Sequence, residues 1–320
     1  MDNISPREAA ISPGYGATAH NRFVRYIKKN FFFYLLLLPG TILIFIFYYV
    51  PYCGLIMGFQ DFSIGKGILH SPFVGFKNFI DFFSSIYFLR IVKNTFVLGF
   101  LTLVFTFPAP IIFALMLNEV RSTLFKRTIQ TISYLPHFIS TVILVGFVYT
   151  FFSPGNGILT QVIQTIVGHD VAILGTAQWF RPLYIALGVY GSFGWDSIIF
   201  FAALSSIDQT LYEAAKIDGA TRWQQMLNIT LPSIMPPIVI LLILRMGGLL
   251  DVGFETVYLM SSPAIYDVAD VINTYVYRKG VLGFDFGYST AVGIFNSAVN
   301  FGFVLLTNYI SKKVNEISLW

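Results

Sequence analysis

The sequence predicts an all-α integral membrane protein of about six transmembrane helices. Two observations carry the prediction. Of the 320 residues, 56% are hydrophobic and only 11% are charged, with a mean hydropathy of +0.71, a composition outside the range of soluble domains. Long apolar runs also recur along the chain, each near the roughly 20 helical residues that a hydrocarbon core of about 30 Å requires. A single cysteine, Cys53, excludes an internal disulfide and any cysteine-rich metal site. The net charge of +4 is modest and is better explained by membrane topology than by nucleic acid.

Residues 1–30 form a polar tail that ends in Arg22, Arg25, Lys28 and Lys29. The apolar run at 31–50 is longer than a signal-peptide core and lacks a small-residue cleavage site, so it is expected to be an uncleaved first span, kinked at Pro39-Gly40. Five further spans are expected at 94–117, 131–152, 183–204, 233–251 and 288–310, followed by a tail at 311–320. Between the third and fourth spans, apolar residues at 158, 159, 162, 163, 166 and 167 alternate with Thr160, Gln161, Gln164 and Thr165 at helical spacing. This pattern predicts a short amphipathic helix over 157–168 lying at the membrane interface.

Six spans place both termini on one side. Arg7, Arg22, Arg25, Lys28, Lys29, Arg121, Lys126, Arg127, Lys216, Arg222, Lys312 and Lys313 fall on that side and outnumber Lys66, Lys77, Arg90, Lys93, Arg181, Arg278 and Lys279 on the other. The positive-inside bias therefore predicts cytoplasmic termini, with the polar loop at 205–232 on the same side.

That loop is too long and too patterned for a simple reversal between spans. Ser205, Ser206 and Asp208 offer capping oxygens, Leu211 to Ile217 are mostly good helix formers, and Gly219 permits a turn. A second short helix is expected from Thr221 to Asn228, ended by Leu231-Pro232. Glu213-Ala214-Ala215, Gly219, Ile229 and Leu231-Pro232, in this spacing, are similar to the EAA signature of the membrane subunits of binding-protein-dependent ABC importers. Tyr212 and Ile217-Asp218-Gly219-Ala220 resemble its sugar-transporting branch, as does Phe73-Val74-Gly75-Phe76-Lys77-Asn78-Phe79 ahead of the second span.

The resemblance implies a type I importer permease of MetI-like fold over 31–310, with 205–232 as the coupling loop, in a bacterial cytoplasmic (inner) membrane. It further implies a second permease, two ATPase subunits that hold ATP and Mg, and an extracytoplasmic binding protein that docks on the outer loops. Glu213 would meet basic or polar groups of the ATPase, Ala214 and Ala215 would allow close approach, and Asp218, Gly219, Ile229, Leu231 and Pro232 would complete the coupling element. The branch implies a carbohydrate substrate, and permeases for complex or acidic oligosaccharides, including the alginate importer, are similar.

Within the spans, Arg245 lies about 12 residues past the start of its run, roughly 18 Å deep at about 1.5 Å per residue. Asp196, beside Trp195, sits about 8 residues from the same end of the preceding span, roughly 12 Å deep. A guanidinium at that depth needs a partner. Three readings stand: a structural Arg245–Asp196 pair, an Arg245 that lines the translocation cavity and passes an anionic group, or a side chain that snorkels or bonds to backbone. Tyr184, Tyr190, Phe193 and Trp195 offer faces on which a sugar ring can stack, although packing explains most aromatic residues of a membrane protein. Gly188, Gly191 and Gly194 suggest close helix approach. His137 has no second ligand at usable spacing and is expected to be a structural residue.

No phosphate-binding Gly-x-x-x-x-Gly-Lys-Ser/Thr loop occurs, so the chain is not itself expected to be the ATPase or to bind a cofactor. His-Glu-x-x-His and Gly-x-Ser-x-Gly are also absent, leaving protease and lipase readings without a reacting group. The rival readings are a permease for another small solute and an ion-coupled secondary transporter; the lack of an internal repeat counts against the latter.

Overall fold

The computed structural model describes residues 26–169 and 172–315, so Arg7, Arg22 and Arg25 of the first tail and residues 316–320 of the second lie outside the described residues. The described chain is helical, apart from one isolated bridge between Gln60 and Phe73. Four helical stretches are long and apolar enough to cross a membrane, and two bent helix pairs raise the number to six.

The chain divides into two compact units at Leu55 and Ile56. In the first unit, α1 (Phe31–Ile44) carries apolar residues all round and buries none of them. A helix of this kind is suited to a lipid environment. α1 runs unbroken through Pro39, and the irregularity comes a turn later, in the π-helical segment Phe45–Tyr49.

The second unit holds the remaining elements used below: α2 (Lys77–Phe83), α3 (Phe88–Thr106), α4 (Pro108–Asn118), α5 (Thr123–Tyr134), α6 (Thr141–Phe152), α7 (Ile158–Val167), α8 (Ala177–Asp196), α9 (Ile198–Ser205), α10 (Gln209–Ile217), α11 (Arg222–Gln225), α12 (Met235–Met246), α13 (Phe254–Met260), α14 (Ile272–Val276) and α15 (Phe286–Asn315). α3 with α4 and α8 with α9 make spans of 31 and 29 residues, longer than the sequence suggests at either end.

Two expected spans are broken. The run at 131–152 is two elements, Thr123–Phe138 and Thr141–Phe152, that meet at 98°. Pro136 opens a 3₁₀ turn at Leu135–Phe138, and Ile139 and Ser140 adopt extended backbone, which ends the first helix. The fifth span bends by 57° between Arg222–Ser233 and Met235–Met246. Pro232 does not end the helix there. The π-helical turn Met226–Thr230 runs straight into Leu231–Ser233, which carries Pro232, and the break falls at Ile234.

The expected interfacial helix is α7, bounded by Gly157 and by Gly168 in the left-handed conformation. Only part of its apolar stripe packs inward, at Ile163, whereas Ile158, Val162 and Ile166 stay exposed.

Lipid is as apolar as leucine, so these helices are held by close packing and interhelical hydrogen bonds. Of the three glycines on α8, Gly194 makes the tight contact. A Cβ there would overlap the Ser133 carbonyl of α5, whereas Gly191 and Gly188 have ordinary clearance from Leu144 and Thr106. Gly99 of α3 meets the Leu249 carbonyl in the same way. Gly194→Val is expected to destabilise the chain by about 1–3 kcal/mol, read as a lower thermal midpoint in detergent. Gly146→Ala, at a helical position with open space around it, should not lower the midpoint.

A candidate coupling loop and membrane cavity

The loop at 205–232 is built by capping. Asp208 caps α10, its carboxylate accepting from Thr210 N–H at 2.9 Å. That bond holds the Asp208 carboxyl below its ordinary value. Gly219 follows in the left-handed conformation at φ +78°, and Ala220 N–H donates to Ala215 O at 2.9 Å to close the turn. Thr221 and Gln224 then form a capping box at the start of α11.

The motif residues divide between two jobs. Glu213, Ala214, Asp218 and Gly219 are exposed, and Glu213 enters no ion pair among the described residues. Ala215 is half-buried and Pro232 exposed. On the same loop, Ile217 is 87% and Trp223 65% exposed, large apolar surfaces in a segment otherwise polar. Ile229 and Leu231 instead pack with Tyr212 against Ala114, Phe200, Leu204, Ile207 and Ile234, which fastens the loop to α4, α9 and α12. The Tyr212 hydroxyl lies 2.9 Å from Thr230 Oγ1, and Arg222 reaches Glu119 at 3.6 Å. Glu119 gave no signal in sequence, since only the fold brings the end of α4 beside α11.

Deeper in the bundle, Arg245 of α12 donates to Asp196 of α8 at 2.7 Å, the pair that the sequence offered as one of three readings. The Arg245 side chain remains 52% exposed and Asp196 29%. Both line a cavity of about 490 Å³ together with Trp195 and Phe107. Trp195 is stacked on His137 at 4.4 Å between ring centres, with the rings parallel, so His137 serves to position this indole. Tyr190 is exposed and lines neither this cavity nor the two beside it, while Phe193 packs edge-on against Phe113.

The second cavity, about 270 Å³, shares Phe107 and Arg245 with the first and adds Thr102, Thr106, Tyr184 and Asp251. A third, about 320 Å³, shares Thr102, Thr106 and Tyr184 with the second and reaches His137 and Thr141. The Tyr184 hydroxyl accepts from Gly253 N–H at 3.1 Å, and Asn296 Nδ2 donates to Asp251 Oδ1 at 2.9 Å. Thr102 and Thr106 went unremarked in the sequence, although four residues separate them on one face of an apolar run.

At the opposite ends of α3 and α8 from this loop, Asp270 is completely buried and is met by Arg278 at 2.8 and 3.0 Å and by Arg90 at 3.3 Å. Asn94 donates to the Asp267 and Asp270 carbonyls and accepts from Arg181 at 3.0 Å. The Arg278 guanidinium loses hydration by burial, yet the hydrogen bonds and charge of Asp270 outweigh this and raise its pKa.

A family model described as "Binding-protein-dependent transport system inner membrane component" matches residues 106–316. The chain is 44% identical over 297 residues to the polygalacturonan/rhamnogalacturonan transport system permease protein YteP of Bacillus subtilis (strain 168), covering 93% of this chain and 92% of that one. Among solved structures, it is similar to a chain of a bacterial ABC transporter involved in the import of the acidic polysaccharide alginate, at 44% identity and a TM-score of 0.85 over 92% of this chain and 99% of the other. A chain from the alginate transporter in complex with its alginate pentasaccharide-bound periplasmic protein matches at 43% identity and 0.85 over 93% of this chain and the whole of that one.

Proposed function

Because the chain belongs to the family of binding-protein-dependent transport system inner membrane components, we propose that it is one permease of an ATP-driven oligosaccharide importer, pairing with a second permease, two ATPase subunits and a solute-binding protein. The observation that carries the reading is the loop at 205–232. It presents Glu213, Ala214, Ile217 and Trp223 outward while Ile229 and Leu231 bury its other side in the bundle. A surface of that shape suits a partner that pushes on it. The ATPase would seat on it and hold ATP and Mg, and the termini would be cytoplasmic, on the side where most of the basic residues fall.

The carbohydrate assignment draws on the printed substrates of the relatives, polygalacturonan/rhamnogalacturonan and alginate. It also fits cavities lined by hydroxyls, two carboxylates, a guanidinium and an indole. ATP-driven closure of the ATPases would draw the coupling loops of the two permeases together and open the cavity to the loaded binding protein. The test is ATPase activity of the assembled complex in lipid, with its binding protein and a set of neutral and uronate tetrasaccharides. Stimulation by sugar is the expected result. An intact complex with basal activity that no sugar stimulates would remove the carbohydrate assignment and leave the importer one.

A further inference from the structure

Three cavities share walls within the bundle, and two of them meet at one side chain that nothing among the described residues satisfies. Thr106 is 94% buried, being 6% exposed, and lines both the 270 and the 320 Å³ cavities; its Oγ1 has no hydrogen-bond partner. A hydroxyl so placed costs free energy unless something bonds to it. Around it stand the Tyr184 hydroxyl, the Arg245 guanidinium and the Asp251 carboxylate, whose second oxygen, Oδ2, is free of the Asn296 bond. Together they offer the donors and acceptors that hydroxyl groups require.

The charge balance decides what they read. Arg245 is the one cation on these walls, and Asp196 neutralises it at 2.7 Å. Asp251 is left over, so the junction carries no surplus positive charge with which to hold a carboxylate. An ionised carboxylate accepts strongly from hydroxyls, and a guanidinium with N–H groups still open donates to ring oxygens.

We propose that this junction is a hydroxyl-reading subsite, which takes one pyranose unit of the transported oligosaccharide through Thr106, Asp251 and Arg245 and holds it by its hydroxyls, with no attraction for a substrate carboxylate. The inference rests on the oligosaccharide reading above.

The test uses the assembled complex in lipid with its binding protein and reads stimulated ATPase with tetragalacturonate, its methyl ester, an alginate tetramer, xylotetraose and galactotetraose. Each variant is compared with the unchanged chain on every sugar that stimulates, so that the preference of the binding protein cancels. Thr106→Val should lower stimulation about threefold to tenfold, the worth of one neutral hydrogen bond, and by the same factor for charged and uncharged sugars. Thr106→Ser, which keeps the hydroxyl, should retain it. Asp251→Asn should cost uncharged sugars about tenfold and acidic ones less, because removing the carboxylate also removes its repulsion. A loss confined to acidic sugars, or no loss in either Thr106→Val or Asp251→Asn, overturns the proposal while leaving the importer a carbohydrate importer. An unchanged complex that none of the five sugars stimulates overturns the carbohydrate reading and this proposal with it.

Discussion

Asp270→Ala is expected to destabilise the folded chain by about 3–5 kcal/mol, the cost of leaving buried charge without its partner. The carboxylate is wholly buried, and Arg278 and Arg90 converge on it while Thr274 Oγ1 lies 3.3 Å away. Removing it leaves two guanidiniums facing each other across a small void, with Tyr266 and Tyr275 rings beside Arg278 as the remaining compensation. The neighbouring Asp267 makes the control. Its side chain is 89% exposed and lies 3.6 Å from Arg90, so Asp267→Ala should change stability by less than about 1 kcal/mol. Thermal unfolding of the purified chain in detergent separates the two. Equal midpoints for both variants would mean that the Asp270 cluster is no more than a surface ion pair.

The second large effect belongs to the coupling loop. Glu213→Lys should abolish coupling, lowering binding-protein-stimulated ATPase by about tenfold or more. A reversed charge in a desolvated interface costs several kcal/mol, and each 1.4 kcal/mol is a factor of ten. The folded chain itself should not notice, because Glu213 is exposed and pairs with nothing among the described residues. Membrane insertion and the thermal midpoint of the isolated chain therefore serve as controls. Normal stimulated ATPase in this variant would remove Glu213 from the contact with the ATPase.

Much of this architecture was legible because membrane burial and helix capping leave local marks. The loop helices α10 and α11 follow from Asp208, Gly219 and Thr221, and α7 from the spacing of its apolar residues between Gly157 and Gly168. The Arg245–Asp196 pair was readable as one of three alternatives, since both residues sit at compatible depths in neighbouring spans. The bends were harder to read. An apolar run shows only that a segment prefers lipid, so the 98° turn after Phe138 leaves no trace in hydropathy beyond Pro136. Aromatic side chains mark several faces of α8, and only packing shows that Tyr184 lines two of the cavities while Tyr190 lines none of the three. The Asp270 cluster joins residues some 180 positions apart, beyond any local pattern.

The broken third span has a consequence for hydration. α6 has 12 residues, about 18 Å of helix, and cannot cross a hydrocarbon core of about 30 Å alone. Its first turn begins at Thr141, on the wall of the 320 Å³ cavity, and Ser140 makes no side-chain cap. The opening amides of a helix have no acceptor within it, and bare amides in hydrocarbon are prohibitively costly. Those amides must find acceptors outside the helix, and the cavity beside Thr141 gives water room to supply them. A polar solute passing that way would then exchange one hydrated surface for another instead of entering oil.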